Sequence, residues 1–191
     1  MANFTEKAIR AAFLSLLDEK PLSKITVRDI TDRCGINRNS FYYHYQDIPS
    51  LIQEILASEI NRIISEYPSI DSIEDCVKVA AGFSLEHKRA ILHIYNSVNR
   101  DMFEHYLWQV CERTVKVYLD SAFPDAKISD SDREVITSYH VCETFGLILG
   151  WLHTGMKGDI LPFLSRMCEI RRGFTEEMVE LCEAQAREGR N

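Results

Sequence analysis

A chain of 191 residues with 46% hydrophobic and 27% charged side chains can bury the core of one or two domains, and this balance excludes a disordered polymer. A formal net charge of -7 excludes a uniformly basic nucleic-acid coat. No run of about 18 apolar residues marks a membrane span and no basic-then-apolar leader opens the chain, so a cytoplasmic protein without a membrane partner is expected.

Helical periodicity runs through almost the whole sequence and no useful strand-like alternation occurs, which predicts an all-α fold. Phe4 and Thr5 open a first helix, and Ile9, Ala12, Phe13, Leu16 and Leu17 make one apolar stripe before Lys20-Pro21 ends it. Thr26 is a good N-cap for a second helix, with Asp29 placed to reach back to free amides and Ile25 placed to staple onto Ile30. Gly35 stands where the chain needs a left-handed residue to stop. Asn37 then caps a third helix, with Ile36 and Phe41 as its staple. Two short helices around a turn of about three residues are a helix-turn-helix. On the third helix Phe41 and Tyr45 share the inner face, while Asn39, Ser40, Tyr43 and His44 fan across the outer one. Such a surface offers donors and acceptors to base edges and phosphates.

The charge is unevenly divided. Residues 1–50 carry seven Lys or Arg against six acids, so the acidity lies in the rest of the chain, where it favours solubility and repels non-specific DNA contact.

The run Thr-Val-Arg-Asp-Ile from Thr26, followed by Cys-Gly-Ile-Asn-Arg-Asn-Ser-Phe-Tyr-Tyr-His-Tyr to Tyr45, resembles the N-terminal domain of the TetR family of bacterial transcriptional regulators. The likeness covers roughly residues 5–56. It implies a three-helix DNA-binding domain over residues 1–48 and a helical bundle for effector binding and dimerisation over 49–191. By motif position and by this resemblance, Arg28, Arg38, Asn39, Ser40 and Tyr43 are candidates for base edges or groove walls, and Thr26, Tyr42 and His44 for phosphates. One departure stands out: a Lys common just after the recognition helix is absent, the chain reading Gln46-Asp47-Ile48.

Pro49 begins a further helix to about Glu66, its apolar side formed by Leu51, Ile52, Ile55, Leu56, Ile60 and Ile63, and Tyr67-Pro68 stops it. Ser72 with Asp75 resembles a capping box opening a helix to about Leu85. Further helices are predicted at roughly 87–97, 100–122, 130–155 and 160–187, with Arg172-Gly173 a possible break in the last.

The segment Phe145 to Leu152 is apolar on nearly every face, so it is either a tightly packed internal helix or docked on another chain. The resemblance favours a homodimer seam at Gly146, Gly150 and Trp151. Met102, Phe103, Tyr106, Tyr139, His140 and Phe145 belong to an aromatic and sulfur cluster that either lines a pocket for an unidentified small-molecule effector or forms ordinary core. A ligand between the helix from Pro49 and this cluster would tilt that helix and respace two recognition helices.

His140 with Glu143, and Asp101 with His105, have helical spacing, but the further ligands of a helical metal site are missing, so no metal or other cofactor is expected. Six cysteines without a C-x-x-C pair read as free thiols. No nucleophile elbow, phosphate-binding loop or zinc-protease motif occurs, which argues against an enzyme. The expected function is a ligand-responsive transcriptional regulator, in the repressing mode, binding a palindromic double-stranded operator as a homodimer. The competing reading is a helical small-molecule-binding protein or enzyme with a vestigial helix-turn-helix.

Overall fold

The computed structural model describes residues 2–66, 75, 78, 81–82 and 85–188. The expected Pro68-Ser69 break, most of the helix from Ser72 to Leu85, and Cys76 lie outside the described residues. All regular structure among those described is helical: α1 Ala2–Glu19, α2 Val27–Cys34, α3 Arg38–His44, α4 Ile48–Glu66, α5 Lys88–Tyr95, α6 Arg100–Ala122, α7 Asp130–His153, α8 Ile160–Ile170 and α9 Phe174–Glu188. The described cysteines are free thiols.

Two compact units divide the chain. The first joins Met1–Arg62 to Glu86–Tyr106, and the second joins Ile63–Leu85 to Leu107–Asn191. Compactness thus groups more than the first 48 residues with the helix-turn-helix.

In the first unit the stripe read on α1 is the buried one, with Ile9, Ala12, Phe13, Leu16 and Leu17 all inside. A short 3-10 turn, Leu22–Lys24, links α1 to α2; periodicity over so few residues gave no sign of it. Helix α4 starts at Ile48, one residue before the expected Pro49, because Asp47 and Ser50 cap it reciprocally: the Ser50 N–H donates to Asp47 Oδ1 at 2.8 Å and the Asp47 N–H to Ser50 Oγ at 3.1 Å. Pro49 then falls in the first turn, where its missing N–H breaks no helical bond.

Arg10 of α1 binds Glu54 and donates to Ser58 Oγ of α4 at 3.0 Å and to the Tyr45 hydroxyl at 3.5 Å, so one guanidinium fixes α1, the end of α3 and α4 together. Helix α5 packs on α1, and a ring N–H of His93 donates to the Leu17 carbonyl at 2.6 Å. That carbonyl lies in the last turn of α1, where helical partners run out. The Tyr106 hydroxyl donates to the Gln53 carbonyl of α4 at 2.7 Å.

The core of the second unit is built from Cys111, Val115, Tyr118 and Leu119 on α6, Ile136, Val141, Ile148 and Leu152 on α7, Leu164 on α8 and Val179 on α9. Ser129 caps α7 and Asp159 caps α8. The expected final helix is two, because Gly173 at φ 85° turns the chain in a region that side-chain-bearing residues rarely enter. Helix α7 is long and apolar enough to cross a membrane by length and composition, with a mean hydropathy of 1.2 in its best window, of which 44% is buried within the fold; a single helix of this kind is weak evidence for a membrane span.

Candidate nucleic-acid interface

The turn between α2 and α3 is set by local chemistry at both ends. Thr26 Oγ1 accepts from the Asp29 N–H at 3.2 Å, and Asp29 Oδ2 accepts from the Thr26 N–H at 2.7 Å, closing a capping box. Gly35 takes φ 67°, ψ 30° and its N–H returns to the Thr31 carbonyl, which stops α2. Asn37 Oδ1 accepts from the Ser40 N–H at 2.8 Å and starts α3.

The hydrogen bonds from Thr26, with Lys20 alongside at 3.1 Å, hold the Asp29 carboxyl down at about 2. Its folded value lies below its ordinary one of 3.8, so the box stabilises α2 fully above that ordinary value and loses this contribution as pH falls towards about 2. Acid titration of the protein, followed by circular dichroism, is expected to show a loss of stability through this window that Asp29→Asn lacks. Identical acid profiles for the two proteins would remove the box from the account of α2.

Helix α3 divides by face as its wheel predicts. Phe41 and Tyr45 are buried, their rings 5.7 Å apart, while Arg38, Asn39, Tyr42 and Tyr43 are exposed, Tyr43 by 83%. Among the described residues the side chains of Arg38 and Asn39 and the Tyr43 hydroxyl form no hydrogen bond or ion pair, so their polar groups are free for a ligand. Arg28 makes only an exposed pair with Asp32 at 3.4 Å, which is worth little and easily exchanged.

Three candidates are less free. Thr26 Oγ1 is engaged with Asp29, and Ser40 Oγ donates to Asn37 Oδ1 at 3.1 Å. His44 turns inward, with Nδ1 3.2 Å from Glu6 Oε1 of α1 and its side chain only 9% exposed. The expectation that His44 reaches outward fails because α1 supplies a carboxylate at the end of α3, a contact 38 residues apart that no helical wheel displays. Three of the seven cations counted in the head are neutralised inside it: Arg10 by Glu54, Arg33 by a two-pronged contact with Glu19, and Lys20 by Asp29. Lys7 and Lys24 are exposed and unpaired among the described residues, so they join Arg38 as cations available to phosphates. Neither has an acid three or four residues away, but Lys20 shares that spacing and is paired, so the sequence alone does not single them out.

The candidate effector residues are divided between the two units. Met102, Phe103 and Tyr106 belong to the first unit, where Phe103 is buried edge-on to Tyr95 at 6.3 Å. Tyr139, His140 and Phe145 belong to the second. There Phe145 packs edge-on to Trp108 at 5.4 Å. His140 is wholly buried with Nδ1 at 3.3 Å from Glu143 and Nε2 at 3.2 Å from Thr175 Oγ1, and burial, helped by Arg171, pulls its pKa down to about 4. Both of its ring nitrogens are therefore spent on protein. A surface cleft of about 470 Å³ between α6 and α7 includes Arg113, Lys116, Asp120, Asp130 and Arg133 in its lining. That wall is of mixed charge and in part self-paired, unlike the apolar pockets that hold small molecules.

On α7, Gly146 and Gly150 are exposed, and a Cβ added at either meets nothing within 4 Å. Val135 and Tyr139 are exposed on the same helix, and Phe174 and Leu181 on α9, which packs against it. Trp151, read as part of a seam, is instead buried in its own chain. Its bulk fills the interior because it points away from the glycines on a helix that is apolar almost all round.

A capped pair of short helices, with the second presenting free polar groups and an aromatic row, defines a helix-turn-helix DNA-binding domain. Comparison with known proteins agrees. Residues 9–55 match the model for bacterial regulatory proteins of the tetR family, and residues 71–173 match a transcriptional regulator C-terminal region of the same family. The chain belongs to the TetR family and is a transcriptional regulator with that family's DNA-binding domain. It is 22% identical over 162 residues to the uncharacterized HTH-type transcriptional regulator YxbF of Bacillus subtilis, a match over 80% of this chain that spans only 41% of that protein's length. It is 23% identical to the nucleoid occlusion factor SlmA of Alteromonas mediterranea, over 77% of this chain and 83% of that one. Among solved structures, the dihydroxyacetone kinase operon activator DhaS shares the fold at TM-score 0.72 and 18% identity, covering 93% of this chain and 97% of its own. Salmonella enterica GusR shares it at 0.57 and 14%, covering 85% and 92%.

Proposed function

We propose that the protein is a ligand-responsive repressor that binds a palindromic operator in the cytoplasm as a homodimer, without enzymatic activity. The observation that supports DNA reading best is the row of free groups on α3, in which Arg38 and Asn39 present donors and Tyr43 an exposed ring and hydroxyl. Arg38, Asn39 and Tyr43 are the proposed base and groove contacts, with Arg28 at their side. Tyr42, Lys7 and Lys24 serve phosphates, while Thr26, Ser40 and His44 position the two helices.

Two copies are needed because one seven-residue helix touches too few base pairs to discriminate, and two heads about 34–36 Å apart meet successive turns of the major groove. The exposed apolar face of α7 and α9, with its two glycines, is the proposed seam. Effector sensing falls to the second unit.

A gel shift with DNA from the protein's own upstream region tests the reading. Arg38→Ala is expected to lose about 1–3 kcal/mol of operator affinity and to relax sequence preference, whereas Lys24→Ala weakens all sequences alike and lowers the salt dependence. Operator affinity unchanged by both Arg38→Ala and Tyr43→Ala would refute the assignment of α3 and leave the carrier or enzyme with a vestigial helix-turn-helix as the better reading.

A further inference from the structure

Among the described residues of the second unit, buried polar side chains close, with two exceptions, on protein partners. Thr137 turns its hydroxyl to the Arg133 carbonyl at 2.7 Å, and Thr114 turns its own to Val110 and Cys111 at 3.0 Å each. The charged groups close as well. Glu143 of α7 binds Arg171, whose guanidinium lies over the Tyr139 ring at 5.5 Å and the Phe174 ring at 5.1 Å, and His140 is held between Glu143 and Thr175.

The exceptions are Thr144 Oγ1 and Trp151 Nε1. Both atoms are sealed from solvent and neither has a hydrogen-bond partner. Thr144 is fully buried and Trp151 is 7% exposed. Seven residues apart, they lie two turns along one face of α7, with the fully buried Ile148 between them. A helical threonine normally relieves itself on the carbonyl four residues back, as Thr137 does, and Thr144 does not. An indole N–H can only donate, so Trp151 requires an acceptor that the protein withholds. Two such atoms on one buried face represent a standing cost that a folded chain rarely carries without a use.

We propose that Thr144 and Trp151 are the polar handles of a ligand site on the inner face of α7, and that the ligand is a small, uncharged, mainly apolar molecule bearing a carbonyl or hydroxyl oxygen. The inference rests on the proposed sensing role of the second unit and specifies its chemistry. The oxygen follows from the donor on Trp151, and a hydroxyl on Thr144 serves a donor or an acceptor equally. Neutrality follows from the surroundings: the charges nearest along α7 are already closed within the Glu143, Arg171 and His140 group, so a charged ligand would enter an apolar wall without a counterion. The apolar body follows from Val141, Ile148 and Leu152, the buried apolar residues beside the two handles on α7. Neither handle belongs to the aromatic cluster that periodicity singles out.

The chain has two tryptophans, so Trp108→Phe leaves Trp151 as the sole indole reporter, and the ring packing on Phe145 is kept. In that background, emission is titrated with cyclohexanone and benzyl alcohol as neutral probes, and with cyclohexanecarboxylate and benzylamine as charged ones. A saturable change is expected with the neutral probes, and binding at least about tenfold weaker with the charged ones, equivalent to about 1.4 kcal/mol. Thr144→Val should weaken the neutral probes about tenfold while leaving Tm equal or higher, since it deletes an unpaired hydroxyl; Thr144→Ser should restore binding. Absence of a saturable change with both neutral probes, equal binding of charged and neutral probes, or binding indifferent to Thr144→Val overturns the proposal. A Tm lowered by Thr144→Val overturns it too, by showing a hydroxyl already satisfied by a structural water. No DNA is present in these titrations, so their failure is distinguishable from failure of operator binding.

Discussion

Phe41→Ala destabilises the first unit by about 3–5 kcal/mol, whereas Tyr43→Ala changes its stability by no more than about 0.5 kcal/mol. The two residues stand two positions apart on one short helix, yet Phe41 is fully buried and Tyr43 is 83% exposed. The Phe41 ring packs against Tyr45 at 5.7 Å and Tyr42 at 5.6 Å, so truncation leaves a cavity in the smallest part of the core. Total stabilities run from about 5 to 15 kcal/mol, so this loss removes much of the margin and takes DNA binding with it. Tyr43→Ala loses DNA binding with the fold intact. Urea unfolding followed by circular dichroism, beside a fluorescence anisotropy titration of operator DNA, separates the two. Equal destabilisation by both variants would mean that α3 is a packed helix with no free reading face.

If α7 carries the proposed dimer seam, Gly150→Arg is expected to convert a particle of about twice 22.1 kDa into one of 22.1 kDa and to weaken operator binding by about 100-fold or more. Within its own chain the change is benign: nothing lies within 4 Å of the added Cβ, and replacing a helical glycine gains up to about 1 kcal/mol of helix propensity. A loss of assembly is then attributable to a second molecule pressed against α7. Multi-angle light scattering at micromolar concentration reads the mass, and thermal melting checks that the monomer stays folded. A variant that remains dimeric places the seam elsewhere.

Local chemistry made the helix-turn-helix legible. Thr26, Asp29, Gly35 and Asn37 act on backbone within a few residues of themselves, and each sits in the structure where its sequence position places it. The Phe41 and Tyr45 face was legible for the same reason, since a wheel needs only spacing. What escaped were contacts between elements far apart in sequence. His44 has the spacing of an outward residue and is drawn in by Glu6; His93 reaches the end of α1 across 76 residues. Trp151 escaped for another reason. In a segment apolar on nearly all sides, periodicity cannot say which side faces in, and only packing turned Trp151 inward and left Gly146 and Gly150 outside.

The return of Glu86–Tyr106 to the first unit has a consequence for how the protein is made. The DNA-reading helices leave the ribosome early, but α5, which covers part of α1 and supplies the His93 contact to Leu17, is translated only later. At about 5–20 residues per second, the interval from Arg62 to Tyr106 is roughly 2–9 s, during which the nascent head lacks one wall. Its apolar flank is open to chaperones for that time, and a fragment ending at Arg62 would keep it open permanently. The head is therefore a poor module to cut out and graft onto another protein, even though its motif is contiguous in sequence.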